Sequence, residues 1–146
     1  WYNTKERNIR YLVTEIKEQI CELVQKSIQD KQYNNEVVFD IPFKTVKRIK
    51  EILHFNMDEF KCIITSHSIR HVKKGHPNDL PYICEIPIII QKFDRVQKSI
   101  TKDKKTNSTL ISLEFYKKYS NNTIKLVKLK INVDKRLELK TLFIEE

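Results

Sequence analysis

The sequence predicts an α+β fold, with N-terminal helices packed on a C-terminal antiparallel sheet of about four strands. Three observations predict it. Apolar residues recur at helical spacing over residues 5–31, with no Gly or Pro to interrupt them. Period-two alternation sets in after Leu110 and runs on to Phe143. Helical patterns come first and strand patterns after, without an internal repeat. The 146 residues are enough for one domain with a real core and too few for two ordinary ones. Residues 1–36 read as a helical extension and 37–146 as the core of that domain.

Each element has its own signal. Ile9, Leu12, Val13, Ile16, Ile20, Leu23, Val24 and Ile28 form one stripe of an amphipathic first helix, which Asn34-Asn35 ends. Val37–Phe39 make a short strand. Pro42 suits the first turn of a second helix, with Phe43, Val46, Ile49, Ile52 and Leu53 on one face and His54 as a polar residue at its end. Lys61–Thr65 is a short extended segment. Ser66 is the expected N-cap of a third helix running through about Lys74, and Gly75 is suited to end it. Pro77-Asn78-Asp79 is turn chemistry, and Pro81 and Pro87 bracket an irregular stretch. A further helix is expected over Ile90–Ile100, with Phe93, Val96 and Ile100 inward, followed by a cationic loop at 102–107.

The meander comes last. Ile111, Leu113 and Phe115 share one face. Val127, Leu129, Ile131 and Val133 alternate with Lys128, Lys130 and Asn132, and Leu137, Leu139 and Phe143 alternate with Arg136, Glu138 and Lys140. Turns at Ser120-Asn121-Asn122 and Asp134-Lys135 join these strands into a sheet with one solvated, basic face, while Thr141 belongs to the apolar face.

Composition narrows the function classes. No apolar run approaches the ~20 residues that span a bilayer, and the N-terminal residues Lys5, Glu6, Arg7 and Arg10 are unlike a signal peptide. A start at Trp1 suggests a part of a larger polypeptide. Cys21, Cys62 and Cys84 show no CxxC or CxxH spacing, so zinc is not expected on them; free, buried thiols are the default and a disulfide the alternative. The net charge is +9, and it is segregated. Residues 1–60 balance ten Lys/Arg against ten Asp/Glu, while residues 61–146 hold eighteen against nine. A basic half-domain favours a polyanion, either nucleic acid or an acidic protein.

The densest chemistry lies in Ser66–His76. His67, His71 and His76, three of the four histidines, fall here with Arg70, Lys73, Lys74 and the only glycine. Histidine both donates and accepts a proton near neutral pH, and the cations suit a phosphate or a developing oxyanion. His67 and His71 share a helix face, Arg70 and Lys74 form an adjacent row, and His76 lies just past the helix end.

Ile69-Arg70-His71-Val72-Lys73-Lys74-Gly75-His76, followed by Ile86-Pro87-Ile88, Phe93-Asp94 and Leu139-Lys140-Thr141-Leu142-Phe143, resembles the phage-associated branch of the barnase–EndoU–colicin–RelE (BECR) nuclease superfamily. The resemblance runs from about Lys44 to Phe143. One departure stands out: the branch usually has Gly after the second histidine, where this chain has Pro77. The resemblance implies metal-independent RNA cleavage, with tRNA as one candidate substrate, on a helix-plus-four-stranded-sheet fold. Such cleavage through a 2′,3′-cyclic phosphate needs a base for the ribose 2′-OH, an acid for the leaving 5′-oxygen and cations for the phosphorane.

On that reading His71 and His76 are the acid–base pair, Arg70 and Lys74 hold the phosphate, and Thr141 hydrogen-bonds it from the sheet. His67, Lys73, Lys117, Tyr119, Lys128 and Lys130 are substrate-binding candidates. No metal and no other cofactor is expected. RNA is the expected substrate and an acidic immunity or antitoxin protein the expected partner. Action in the cytoplasm is expected, after delivery as the tip of a secreted or phage-borne protein. Two other readings use the same residues. A non-catalytic binding module for nucleic acid or acidic protein would tolerate loss of the histidines. A zinc site on His67, His71 and His76 has compatible spacing, but Arg70, Lys73 and Lys74 repel a dication.

Overall fold

A computed structural model describes residues 4–145, with side chains from Leu12 onward. The elements are α1 (Thr4–Gln29), β1 (Glu36–Asp40), α2 (Phe43–Leu53), β2 (Lys61–Thr65), α3 (Ser66–Gly75), successive 3₁₀ turns (Pro77–Glu85), α4 (Ile86–Lys92), β3 (Arg95–Lys102), β4 (Thr109–Lys118), β5 (Thr123–Ile131) and β6 (Arg136–Glu145). The class is α+β, and the sheet has six strands rather than about four, in the order β1-β2-β6-β5-β4-β3. Every neighbouring pair is antiparallel except β2 and β6, which run parallel from Lys61↔Arg136 to Ile63↔Glu138.

The first helix follows its stripe. Ile20, Leu23 and Val24 are buried, whereas Leu12 is exposed and the side chain of Ile9 lies outside the described residues. A fully buried Ile contributes roughly 1.5–3 kcal/mol, and Ile20, Ile49, Ile69, Ile83, Ile86, Ile89 and Ile90 are all in that state. Three further ties fix α1 to the elements after it. Cys21 is disulfide-bonded to Cys84, which corrects the free-thiol default and leaves Cys62 as the buried free thiol. Lys17 Nζ lies 3.1 Å from Glu85 Oε1, and Ser27 Oγ donates to Ser66 Oγ at 2.8 Å.

Local readings shift in four places. Thr65, not Ser66, caps α3, its Oγ1 accepting from Ser68 N at 3.1 Å; Ser66 is buried and joins α1 to the Asn35 turn instead. The helix expected over Ile90–Ile100 stops at Lys92. Phe93 turns extended and Asp94 N donates to Tyr116 O, so Arg95–Lys102 pairs with β4 as an edge strand and Ile100 is 62% exposed. In α2, Thr45 and Ile49 face inward, while Phe43 is 79% exposed. Val133 lies in the β5–β6 turn at 92% exposure.

The core draws on one face of the sheet. Cys62, Ile64, Val96, Leu113, Phe115, Ile124, Leu126, Leu137, Leu139 and Leu142 join the helix residues in a single cluster. Residues between them point to the opposite face, which no helix among the described residues covers.

Candidate active site

A β-bulge builds the open face. The β5–β6 register runs Thr123↔Glu145 to Val127↔Thr141, then resumes at Lys128↔Leu139, leaving Lys140 unpaired. Leu137 and Leu139 therefore face the helices before the bulge and Leu142 faces them after it. Thr141 and Phe143 turn to the open face, where continuous alternation would have put them under the helices.

Two cross-strand rows result. One reads Arg95–Tyr116–Lys125–Phe143 and the next Gln97–Glu114–Val127–Thr141. Neighbours within a row are one strand apart, and the rows are two residues apart on the same face. Lys125 lies where they meet. Its ammonium is 3.3 Å from Glu114 Oε2, 5.6 Å from the Tyr116 ring centre and 5.7 Å from that of Phe143. Burial pulls the Lys125 pKa down, but the Tyr116 hydroxyl and the Glu114 carboxylate outweigh it and hold the group above the usual lysine value. Gln97 Nε2 donates to Glu114 Oε1 at 2.6 Å and to Tyr116 Oη at 3.1 Å.

His76 enters from beside the sheet. β2 gives way to α3 after Thr65, so the far half of β6 has no strand on that side. The turn after α3 fills the space: Asp79 Oδ2 accepts from Ile144 N at 3.2 Å. His76 N donates to Val72 O at 2.7 Å, His76 O accepts from Asp79 N at 3.0 Å, and the imidazole stacks on Phe143 at 4.8 Å and 19°. A histidine, a lysine and a threonine thus border one patch of sheet.

His71 lies on the solvent side of α3. Ile69 and Val72 face the core, while Thr65, on the open face of β2, donates a hydrogen bond from its Oγ1 to Ser68 Oγ at 3.0 Å. His71 follows Ser68 by three residues and so occupies the same side of α3, exposed.

Other sequence candidates lie elsewhere. Arg70 points to α1: Nε donates to Ser27 O at 3.2 Å, and Nη2 donates to Asp30 O and Tyr33 O. It satisfies carbonyls at the C-terminal end of α1, where a cation also opposes the helix dipole. His67, Lys73 and Lys74 are exposed on α3. Lys117 and Tyr119 face the helices rather than the open side. Lys117 Nζ is 3.8 Å from Asp94, and Tyr119 packs against the core, where burial above all pushes its phenol up to about 12.

The basic face assigned to β5 is inverted. Lys128 is fully buried among Leu113, Leu139 and Cys62, its Nζ donating to Ile63 O at 3.2 Å, and burial pulls its pKa down to about 8. Lys130 lies over Phe55 and Phe60, at 5.0 and 5.3 Å from their ring centres. Ile124 and Leu126 set the inward phase of β5, which carries Lys128 and Lys130 in with them.

His67, His71 and His76 form no metal-binding trio: among the described residues no three of His, Cys, Asp or Glu are grouped to hold a metal ion. No helix among the described residues is long and apolar enough to cross a membrane. Sequence reading missed Lys125, Glu114, Tyr116 and Gln97. Alternation places Glu114 and Tyr116 opposite Leu113 and Phe115, but only the strand register brings them to Lys125.

The open sheet face carries Lys125 and is bordered by His76 from an adjoining turn. Residues 43–146 match the family model described as phage-Barnase-EndoU-ColicinE5/D-RelE like nuclease3, and the chain belongs to that family. No curated protein and no solved structure matches it. The match begins after β1, so α1 and β1 lie outside it.

Proposed function

We propose that the protein is a metal-independent endoribonuclease whose reaction takes place on the open face of the sheet. The observation that carries this reading is the position of His76, held on Phe143 beside Lys125 and Thr141, in a chain of a nuclease-like family. His76 and His71 serve as the acid–base pair: one takes the 2′-OH proton and the other protonates the leaving 5′-oxygen. Lys125 offsets the charge of the phosphorane, and Thr141 donates a hydrogen bond to it. Arg70 acts at one remove, since its hydrogen bonds to α1 position α3 and hence both histidines. Lys74, His67 and Lys73 supply a basic flank for the rest of the RNA.

The reading extends to a toxin tip carried by a larger secreted or phage-borne polypeptide and acting in the cytoplasm, with an acidic immunity protein as partner. Charge complementarity to a +9 chain would speed that association.

The test uses RNA and EDTA. The wild type is expected to cleave RNA with chelator present, leaving 2′,3′-cyclic phosphate and 5′-hydroxyl ends, and to spare the same sequence in 2′-deoxy form. His76→Phe keeps a ring on Phe143 and removes the proton chemistry, so its rate should fall by about 10²–10⁴. Cleavage of the deoxy strand, or an unaffected His76→Phe, would overturn the mechanism. RNA retained in a gel shift but never cut would favour the binding-module reading.

A further inference from the structure

Arg95 is a cation on the open face that the chemistry above leaves unused. Its guanidinium carbon lies 3.8 Å from the centre of the Tyr116 ring, so the group is held against an aromatic face rather than waving in solvent. Its hydrogen bond to Gln97 Oε1 is long, at 3.5 Å. Among the described residues no carboxylate pairs with it, whereas Glu114 partly neutralises Lys125. A guanidinium fixed on a ring keeps its N–H edge for a bidentate anion, and phosphate fits that fork.

Position gives the fork its meaning. Arg95 and Lys125 flank Tyr116 in one row, their Cα atoms two strand spacings or about 9.5 Å apart along the sheet, and their cations lie 3.8 and 5.6 Å from the centre of the ring between them. The ring stands between the two cations, so each offers its own edge to an anion, and the spacing of their strands sets the distance between those two contacts. That distance is the span of about three steps of a stacked strand at ~3.4 Å each, or fewer of an extended one.

We propose that Arg95 is a remote phosphate subsite, engaging the backbone of a single polynucleotide strand one to three nucleotides from the bond cleaved beside His76 and Lys125. This rests on the nuclease reading for the location of the reacting phosphate. The consequence is a length preference: a dinucleotide reaches Lys125 alone, while a longer strand adds the Arg95 contact.

Two measurements on Arg95→Met test it; methionine retains an apolar stem against Tyr116. The first is the ratio of kcat/KM for a ten-nucleotide RNA to that for a dinucleotide. It should be tenfold or more in the wild type and collapse by about tenfold in the variant, the size of a lost charge-assisted hydrogen bond. An equal loss on both substrates, or none, overturns the subsite. The second is binding of the 2′-deoxy decamer by fluorescence anisotropy as salt is varied, which does not depend on cleavage. One phosphate contact on a single strand is worth about 0.7 in the slope of log K against log salt. Arg95→Met should lower the slope by that amount and Lys104→Gln, on the exposed β3–β4 hairpin, should not. A lowered slope with no cleavage of any RNA would keep the subsite and sink the nuclease reading. An unchanged slope would sink the subsite alone.

Discussion

Replacing Lys128 with methionine should make the protein more stable, by an amount that shrinks as pH rises. The ammonium is fully buried with one hydrogen bond, to Ile63 O, and burial lowers its pKa from 10.5 to about 8. At ~1.4 kcal/mol per pH unit, keeping that group charged in the folded state costs about 3 kcal/mol at pH 7. Between pH 8 and 10.5 the unfolded chain binds more protons at this site than the folded one, so stability from this group rises across that window. Below pH 8 the cost is fully present. Methionine has a similar shape and forfeits the bond to Ile63 O, about 1 kcal/mol. The variant should therefore gain about 2 kcal/mol at pH 7, or about 4–8 °C in Tm. Urea unfolding of both proteins at pH 7 and pH 10 measures the difference. The gap should close by roughly 2 kcal/mol, because the cost remaining at pH 10 is under about 1 kcal/mol. Burial raises the Cys62 thiol to about 11, which acts in the opposite sense; the Lys128 charge holds that rise back, so losing it raises the thiol further in the variant and helps to close the gap at pH 10. A difference independent of pH, or a variant less stable at both pH values, would refute a buried ammonium at position 128.

Breaking the Cys21–Cys84 bond by Cys84→Ser should cost about 4 kcal/mol, from the chain entropy of a loop closed over 63 residues; a urea midpoint unmoved by the change would count against the tie. Arg70→Gln should cost about 2–3 kcal/mol and speed hydrogen exchange at the end of α1, while RNA cleavage well below the melting temperature stays within severalfold of wild type. A loss of cleavage as large as that of His76→Phe would move Arg70 into the chemistry. Thr141→Val keeps the shape and should cut the cleavage rate by about tenfold through one lost hydrogen bond, with Tm unchanged; full activity in that variant would remove Thr141 from the site.

What was legible in the sequence is what local pattern determines. The α1 stripe, the Lys61–Thr65 strand and, to within one residue of its cap, the course of α3 rest on neighbours in the chain, and the family resemblance rests on short contiguous motifs. The errors are non-local. Leu126-Val127 puts apolar residues in both phases of β5, and the bulge at Lys140 switches the phase of β6 between Leu139 and Leu142. The run Ile88-Ile89-Ile90 carries a helical pattern past Lys92, although pairing with β4 gives the next residues to the sheet. The partner of Cys21 lies 63 residues away. Arg70 reads as a phosphate ligand by type, and only the approach of α1 supplies the carbonyls that occupy it.

The place of β6 has a consequence for how the protein is made. It is last in chain order among the described elements, yet it sits between β2 and β5 in the sheet. While it is missing, β1–β2 and β3–β4–β5 are separate pieces with exposed edges, and His76 has no Phe143 to rest on. A chain emerging from the ribosome folds its early parts first, but it gains Thr141 and Phe143 only with this strand. Insertion then closes contacts of high sequence separation, a slow kind of step. The open face is thus completed only when β6 is in place, and in one event, so a chain that lacks this strand carries the histidines without the surface they border.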